Sequence, residues 1–162
     1  MRGAERDARV LVLALNRGVS DRILGYVGRL AERGAEVVLV VAGPAPGLDP
    51  AGARPVRVVS LIEGGPWTPL RGLENALTRP RRTGRLAVLL RRLPVTGYAQ
   101  VRAALLAGRG VRALRRAKIG DVDAVVAADI DSVTLGYRLA RRHPDAVVTT
   151  ALNLELVPDQ VS

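Results

Sequence analysis

Five short runs of apolar residues, rich in valine, recur along the chain. Each run is apolar almost throughout, which is typical of strands that are buried on both faces of a parallel sheet. The pattern therefore predicts five buried strands, at Val10–Leu15, Val37–Ala42, Val56–Leu61, Ala124–Ala128 and Ala146–Thr150.

Helical spacing of apolar residues occurs between the first two strands and again between the last two. In Asp21–Arg33 the apolar residues recur every three or four positions, and Gly34 is placed to end the helix. Ser132–Arg142 shows the same spacing, with Pro144 just beyond it. Two such strand–helix–strand units predict a parallel sheet with crossover helices. We therefore expect an α/β fold, a Rossmann-like three-layer sandwich with a central parallel sheet, formed by residues 1–162 as a single domain.

The stretch between the third and fourth strands is less regular. Two helices are predicted there, Arg85–Leu93, which Pro94 closes, and Tyr98–Ala117. Gly108 and Gly110 are expected to break the second of these helices into two. The positions predicted to share a buried face are Val101, Ala104, Leu105, Gly108, Val111 and Leu114 in Tyr98–Ala117, and Val133, Gly136, Leu139 and Ala140 in Ser132–Arg142.

The amino-acid composition excludes several kinds of functional site. The chain has no cysteine and a single histidine, His143, so disulfide scaffolds, thiolate metal sites, multi-histidine metal centres and cysteine nucleophiles are excluded. It also lacks the G-x-G-x-x-G dinucleotide fingerprint, the P-loop motif and the G-x-S-x-G nucleophile elbow. We therefore expect neither a resident cofactor nor a metal in this domain.

Targeting signals are weak. The apolar run Val10–Leu15 is too short for the core of a signal peptide, and Glu5 and Asp7 interrupt the positive leader that such a peptide needs. No run approaches the roughly 18 apolar residues of a membrane span. The sequence predicts a cytoplasmic protein.

The candidate site follows from the predicted sheet. In an open parallel sheet, ligands bind beyond the carboxyl ends of the strands, which here are followed by Asn16–Asp21, Asp129–Ser132 and Thr149–Glu155. Two carboxylates at a strand end can contact sugar hydroxyls or act as a base, or they can cap the following helix. Capping is the favoured interpretation for Asp131, whereas the two interpretations of Asp129 remain balanced. The candidate binding residues are Asn16, Ser20, Asp21, Arg22, Asp131 and Asn153, with Asp129 as the candidate catalytic residue.

Two segments resemble the N-terminal domain of family 4 GT-B glycosyltransferases. Asp123–Ser132 reads DAVVAADIDS and is followed by Leu139–Arg142, which is similar to the family pattern D-V-V-H-A-H-D-x-D-[ST] and a helix with L-A-R. Asp21-Arg22 followed by Leu30–Val37, which reads LAERGAEV, is similar to the family's D-x-R-V…L-A-x-x-G-H-E-V. The resemblance implies a transferase that moves a sugar from a nucleotide donor to an acceptor, with the acceptor bound mainly by this half.

The chain departs from this family in two respects. The two family histidines fall on Val126 and Ala128, and alanine can neither transfer a proton nor donate a side-chain hydrogen bond. The sequence also reaches Ser162 without the second GT-B domain, which would hold the nucleotide sugar. We therefore expect an acceptor-binding half that is inactive alone, with a separately encoded C-terminal half as a candidate partner.

Positive charge is concentrated in Arg71–Lys118, which has thirteen basic residues and one acidic residue, Glu74. A solvated helical face, a peripheral membrane surface at Arg81–Leu93 and the capture of an anionic partner all fit this charge. Nucleic acid is disfavoured because no recognised binding motif accompanies the charge. The alternative function is thus a non-catalytic module whose basic surface binds an anionic membrane, at the inner face of the cell membrane, or a protein partner.

Overall fold

Residues 7–16, 19–43, 56–61 and 95–156 are described in a computed structural model of the protein, except for the side chains of 95–99 and 101. The whole stretch from Arg71 to Pro94, with the predicted helix Arg85–Leu93 and the candidate membrane surface Arg81–Leu93, lies outside the described residues. Five strands occur within the described residues, and each overlaps a predicted strand. They are β1 (Arg9–Ala14), β2 (Glu36–Val41), β3 (Arg57–Ser60), β4 (Ala124–Ala127) and β5 (Val147–Thr149).

The five strands form one parallel sheet in the order β3-β2-β1-β4-β5. At the centre, Val10 of β1 is in register with Val37 of β2 on one side and with Ala124 of β4 on the other. The predicted parallel arrangement is therefore confirmed, and the chain has an α/β, Rossmann-like fold.

Burial differs between the central and the edge strands. The strands β1, β2 and β4 are buried along nearly their whole length, as predicted. The prediction of full burial is wrong for β3 and β5, since Val147 in β5 is 54% exposed and Arg57 in β3 is exposed. Both are edge strands of the described sheet, so each has a strand on one side only.

Three α-helices connect or cover these strands within the described residues. They are α1 (Asp21–Glu32), α2 (Val95–Arg116) and α3 (Val133–Ala140), with short 3₁₀ turns at Ile130–Ser132 and Leu154–Leu156. Alternate strand residues face opposite helices. Val10 and Val12 pack in the core with α1, whereas Leu11 and Leu13 pack with α2 and α3. Helices therefore cover both faces of the sheet and complete the three layers.

Gly34 lies just after the C-terminal end of α1, where the sequence predicted that it would end the helix. This glycine has a φ of 88°, in the left-handed region that favours glycine. Its N–H donates to the Ala31 carbonyl at 3.0 Å, and the Ala35 N–H donates to the Leu30 carbonyl at 3.1 Å. This paired arrangement satisfies carbonyl groups that the helix end would otherwise leave without a partner.

The structure corrects two details of the predicted helices. First, α2 is continuous from Val95 to Arg116, so Gly108 and Gly110 do not break it. Second, its buried face is rotated from the predicted one, since Leu105 is 45% exposed. The buried residues with described side chains are Leu106, Ala107, Val111 and Leu114, beside the buried backbone of Gly110.

The predicted face of α3 is also partly wrong. Val133 is 44% exposed, and the buried residues of the helix are Leu135, Gly136 and Leu139. Leu135 packs against α2 at Gly110, where a Cβ atom would lie only 2.4 Å from the Leu135 Cδ2 atom. The close approach of the two helices therefore depends on a glycine at position 110 and selects the face of each helix that is buried.

Candidate functional site

The order of the strands creates a crevice between β1 and β4. From β1 the chain crosses to β2 through α1 on one face of the sheet, and from β4 it crosses to β5 through α3 on the other face. The connections that follow β1 and β4 therefore diverge at the carboxyl edge of the sheet. In parallel α/β sheets such a divergence is the usual position of a ligand site.

Asn16 and Asp129 meet at this crevice. The backbone N–H of Asn16 donates to Asp129 Oδ2 at 2.9 Å, although the two residues are 113 positions apart. The other carboxylate oxygen, Oδ1, accepts the Ser132 backbone N–H at 2.9 Å. Asp129 therefore joins the segment after β1 to the turn after β4 and holds both in place.

Asp129 is also the N-cap of the 3₁₀ turn Ile130–Ser132. The Ser132 hydroxyl donates to the Asp129 carbonyl at 2.6 Å and accepts the Asp129 N–H at 3.2 Å, which completes a reciprocal capping box. Ser132 is fully buried. The sequence pattern left capping and ligand binding equally open for Asp129, and the structure shows that this residue makes the cap.

The expectation that Asp131 caps a helix is wrong. Its carboxylate instead forms an ion pair with the guanidinium of Arg102, and the two side chains are only 15% and 12% exposed, respectively. Arg102 lies on α2, whose N-terminal half therefore approaches the turn after β4. From the sequence, Arg102 is only one of the bases of the segment Arg71–Lys118, because its partner lies on a separate element.

Ser20, Asp21 and Arg22 lie at the start of α1, and all three are exposed. Ser20 is the N-cap through its backbone, since its carbonyl accepts the N–H groups of Ile23 and Leu24 at 2.9 and 3.0 Å. Its hydroxyl makes no capping hydrogen bond. The start of this helix follows β1 at the carboxyl edge, so these side chains are on the same edge as Asp129.

Asn153 is held by α1 and by its own turn. The Tyr26 hydroxyl donates to the Asn153 carbonyl at 2.8 Å. The Asn153 side chain accepts the Glu155 N–H at 3.0 Å and donates to a Glu155 carboxylate oxygen at 3.2 Å. Burial raises the pKa of Tyr26 above its ordinary value of 10.0. The main role of Asn153 in the structure is therefore to hold the segment after β5 against α1.

The chemistry that this edge offers is hydrogen bonding. Val126, at the position of one family histidine, is fully buried in β4, and half-buried Ala128 occupies the position of the other. Neither side chain transfers a proton. The part of the chain that the structure describes has no group of three or more acidic or histidine side chains that could hold a metal ion. What remains is a set of amide, hydroxyl, carboxylate and guanidinium groups suited to a polar ligand.

Comparisons of the chain with protein-family models, with curated proteins and with solved structures give no match. Among the described helices, none combines the length and the apolar character that crossing a bilayer requires.

Proposed function

We propose that the chain is the acceptor-binding domain of a glycosyltransferase-like protein of the GT-B type. The proposal is supported chiefly by the Asn16–Asp129 hydrogen bond at the crevice between β1 and β4. This position is where an α/β sheet usually binds its ligand, and Asp129 belongs to the segment that resembles the glycosyltransferase family. The ligand is a polyhydroxylated acceptor, and a nucleotide-sugar-binding domain outside these 162 residues provides the opposite wall of the cleft.

The proposed role of Asp129 is to accept a hydrogen bond from the acceptor hydroxyl. An ionised carboxylate has sites for about four hydrogen bonds, and the structure occupies one on each Asp129 oxygen with a backbone N–H. The carboxylate is therefore oriented by the protein and retains capacity for a ligand. Asn16, Ser20 and Asp21 form the floor of the cleft, and Arg22 is available for an anionic group on the ligand.

Asp131 and Asn153 support this site. The ion pair with Arg102 orients the Asp131 carboxylate beside the turn that carries Asp129. Asn153 belongs to the segment after β5, which Tyr26 holds against α1. In this proposal both residues bind acceptor hydroxyls at the periphery of the cleft.

Sugar transfer requires more than acceptor binding. The acceptor oxygen forms a bond to the anomeric carbon, the bond from that carbon to the nucleoside diphosphate breaks, and the hydroxyl proton passes to a base. Val126 and Ala128 provide no such base, so in this proposal the departing nucleoside diphosphate takes the proton. The nucleotide sugar is held by the donor domain, so the chain alone is expected to bind acceptor but to transfer no sugar from UDP-glucose or GDP-mannose. A donor domain carrying the E-x7-E pattern of the family is expected to restore transfer.

The direct test is an amide NMR titration of the ¹⁵N-labelled chain with methyl α-D-glucoside, methyl α-D-mannoside and myo-inositol. Binding of any of these should shift the amide signals of Asn16, Ser20, Asp21 and Asp129–Ser132. The Asp129→Asn variant should weaken that binding about tenfold, because the acceptor loses a charged hydrogen-bond partner. Asp145→Asn, at an exposed position in the loop after α3, is the matched control and should bind like the wild type.

The proposal fails if none of the three probes shifts the signals at the carboxyl edge. It also fails if Asp129→Asn binds as tightly as the wild type while its spectrum shows a folded protein.

A further inference from the structure

A groove of about 400 Å³ lies between α2 and α3. Its walls carry five arginines, two from α2 and three from α3 and the turn after it. We call it the arginine groove, and its arginines are Arg112, Arg115, Arg138, Arg141 and Arg142.

The arginine groove is remote from the proposed acceptor site. Arg116 ends α2 shortly before β4 begins, and Ala140 ends α3 shortly before β5 begins, so both helices end at the amino edge of the parallel sheet. Asn16 and Asp129 lie at the carboxyl edge, after β1 and β4. The groove is therefore a separate feature, and what it binds is independent of the acceptor proposal.

The charge in the groove is not compensated within the described part of the chain. None of the described acidic residues lines it, and all five arginines are exposed. None of them forms a side-chain hydrogen bond or an ion pair with any other described residue, in contrast to Arg9, which pairs with Glu36, and Arg102, which pairs with Asp131. Like charges gathered around one cavity repel each other, and a bound anion would relieve this repulsion.

The two sets of arginines come from different parts of the sequence. Arg112 and Arg115 belong to the basic segment Arg71–Lys118, but Arg138, Arg141 and Arg142 lie beyond it. The packing of α2 against α3 brings the two sets together. Arg138 extends over this part of α2, since a Cβ atom at Gly108 would lie at an ordinary contact distance of 3.8 Å from one of its guanidinium nitrogens.

We propose that the arginine groove binds an anion that carries at least two phosphate groups. Guanidinium groups bind phosphate oxygens through paired N–H donors. Five positive charges around one cavity exceed the roughly two negative charges of a monophosphate, so the groove matches a diphosphate better than a monophosphate. The diphosphate group is the recognised chemistry, and a soluble molecule or a lipid headgroup can supply it.

Calorimetry with sodium pyrophosphate tests this proposal on the full chain at about 0.15 M salt. We expect pyrophosphate to bind at least about tenfold more tightly than orthophosphate. Arg112→Gln/Arg141→Gln, which removes one charge from each side of the groove, should weaken pyrophosphate binding about tenfold or more. The matched control is Arg29→Gln/Arg116→Gln, which removes the same charge at exposed positions outside the groove. This control should change binding by less than about twofold.

The structure predicts that these variants fold, since the substituted side chains are exposed, and thermal melts followed by circular dichroism check this. Pyrophosphate should raise the melting temperature of the wild type and of the control, but hardly that of the groove variant. Equal loss of binding in both double variants would overturn the proposal, because it would show a diffuse charge effect instead of a site. Failure of pyrophosphate to bind the wild type would also overturn it.

A second arm identifies the source of the diphosphate. Vesicles of phosphatidylcholine are compared with vesicles that also contain a polyprenyl diphosphate. If the wild type sediments only with the diphosphate vesicles, and pyrophosphate releases it, the ligand is a lipid headgroup. If pyrophosphate binds the groove and neither kind of vesicle retains the protein, the ligand is soluble. Equal retention of the wild type and the groove variant by the diphosphate vesicles would contradict the proposed site.

Discussion

Arg102 of α2 and Asp131 of the turn after β4 form an ion pair that joins two elements 29 positions apart in the sequence. Both side chains are mostly buried, with exposures of 12% and 15%. An ion pair in this environment is costly to break, because removal of the Arg102 guanidinium leaves the Asp131 carboxylate buried without its ion-pair partner. The pair therefore couples the position of α2 to the turn that carries Asp129.

Replacing either member of this pair should destabilise the protein. We expect Arg102→Gln and Asp131→Asn each to lower the free energy of unfolding by about 2 kcal/mol. The double variant should lose less than the sum of the two single losses, because either single substitution already removes the whole ion pair. Urea denaturation of the four proteins measures this coupling, and strictly additive losses would contradict it.

Asp129 should be important for stability as well as for binding. Asp129→Ala removes acceptors for the Asn16 and Ser132 backbone N–H groups, and we expect a loss of about 2 kcal/mol in the free energy of unfolding. Asp145→Ala, at an exposed position, should change it by less than about 0.5 kcal/mol. Chemical denaturation followed by circular dichroism compares the two variants. If both behave alike, the capping role of Asp129 in stability is refuted.

Gly108 and Gly110 provide a matched test of the packing between α2 and α3. An added Cβ at Gly110 would lie 2.4 Å from the buried side chain of Leu135, whereas at Gly108 the nearest atom would be 3.8 Å away. Gly108→Ala should therefore stabilise the protein by about 0.5 to 1 kcal/mol through its helix propensity. Gly110→Ala should destabilise it by about 1 kcal/mol, since overpacking exceeds that gain. Opposite shifts of the melting temperature are expected, and shifts of the same sign would show that Leu135 moves aside.

Tyr26 should make stability depend on pH in the alkaline range. Because burial raises the pKa of Tyr26 above 10.0 in the folded protein, the unfolded chain loses this proton at a lower pH than the folded protein does. The contribution is fully present below pH 10 and is lost as the pH rises through the folded pKa. Urea denaturation at increasing pH should show this decline in the wild type.

Tyr26→Phe isolates this effect. It should cost about 1 kcal/mol at neutral pH, because the Asn153 carbonyl loses its hydrogen bond. The difference in stability between wild type and variant should then shrink as the pH rises above 10, and a constant difference would contradict the assignment. The absorbance titration of the two proteins identifies the Tyr26 ionisation by subtraction.

The strands could be predicted from the sequence because a strand that is buried on both faces consists almost entirely of apolar residues. The apolar runs predicted β1, β2 and β4 to within one residue at each end, since a central strand of a parallel sheet meets helices on both faces. The same signal overstated the burial of β5, where Val147 and Val148 are exposed. Valine favours extended structure at an edge as well as at the centre, so composition alone does not separate the two.

The candidate site was predicted less completely. The position of Asp129 after β4 identified it as a candidate, because strand ends of a parallel sheet meet at one edge. The assignment of the cap to Asp131 was wrong, since two aspartates two positions apart have equal capping propensity. The choice between them depends on the Asn16 N–H and on Arg102, neither of which is a sequence neighbour.

The sequence by itself determined the parallel sheet, its crossover helices and the end of α1 at Gly34, since hydrophobic period and glycine placement act over a few neighbouring residues. The tertiary structure alone decided that Asn16 meets Asp129, that Arg102 meets Asp131, and that the two sets of arginines surround one groove. These contacts depend on which strands are adjacent and on how closely α2 approaches α3. Both are outcomes of packing the whole core, which no local pattern encodes.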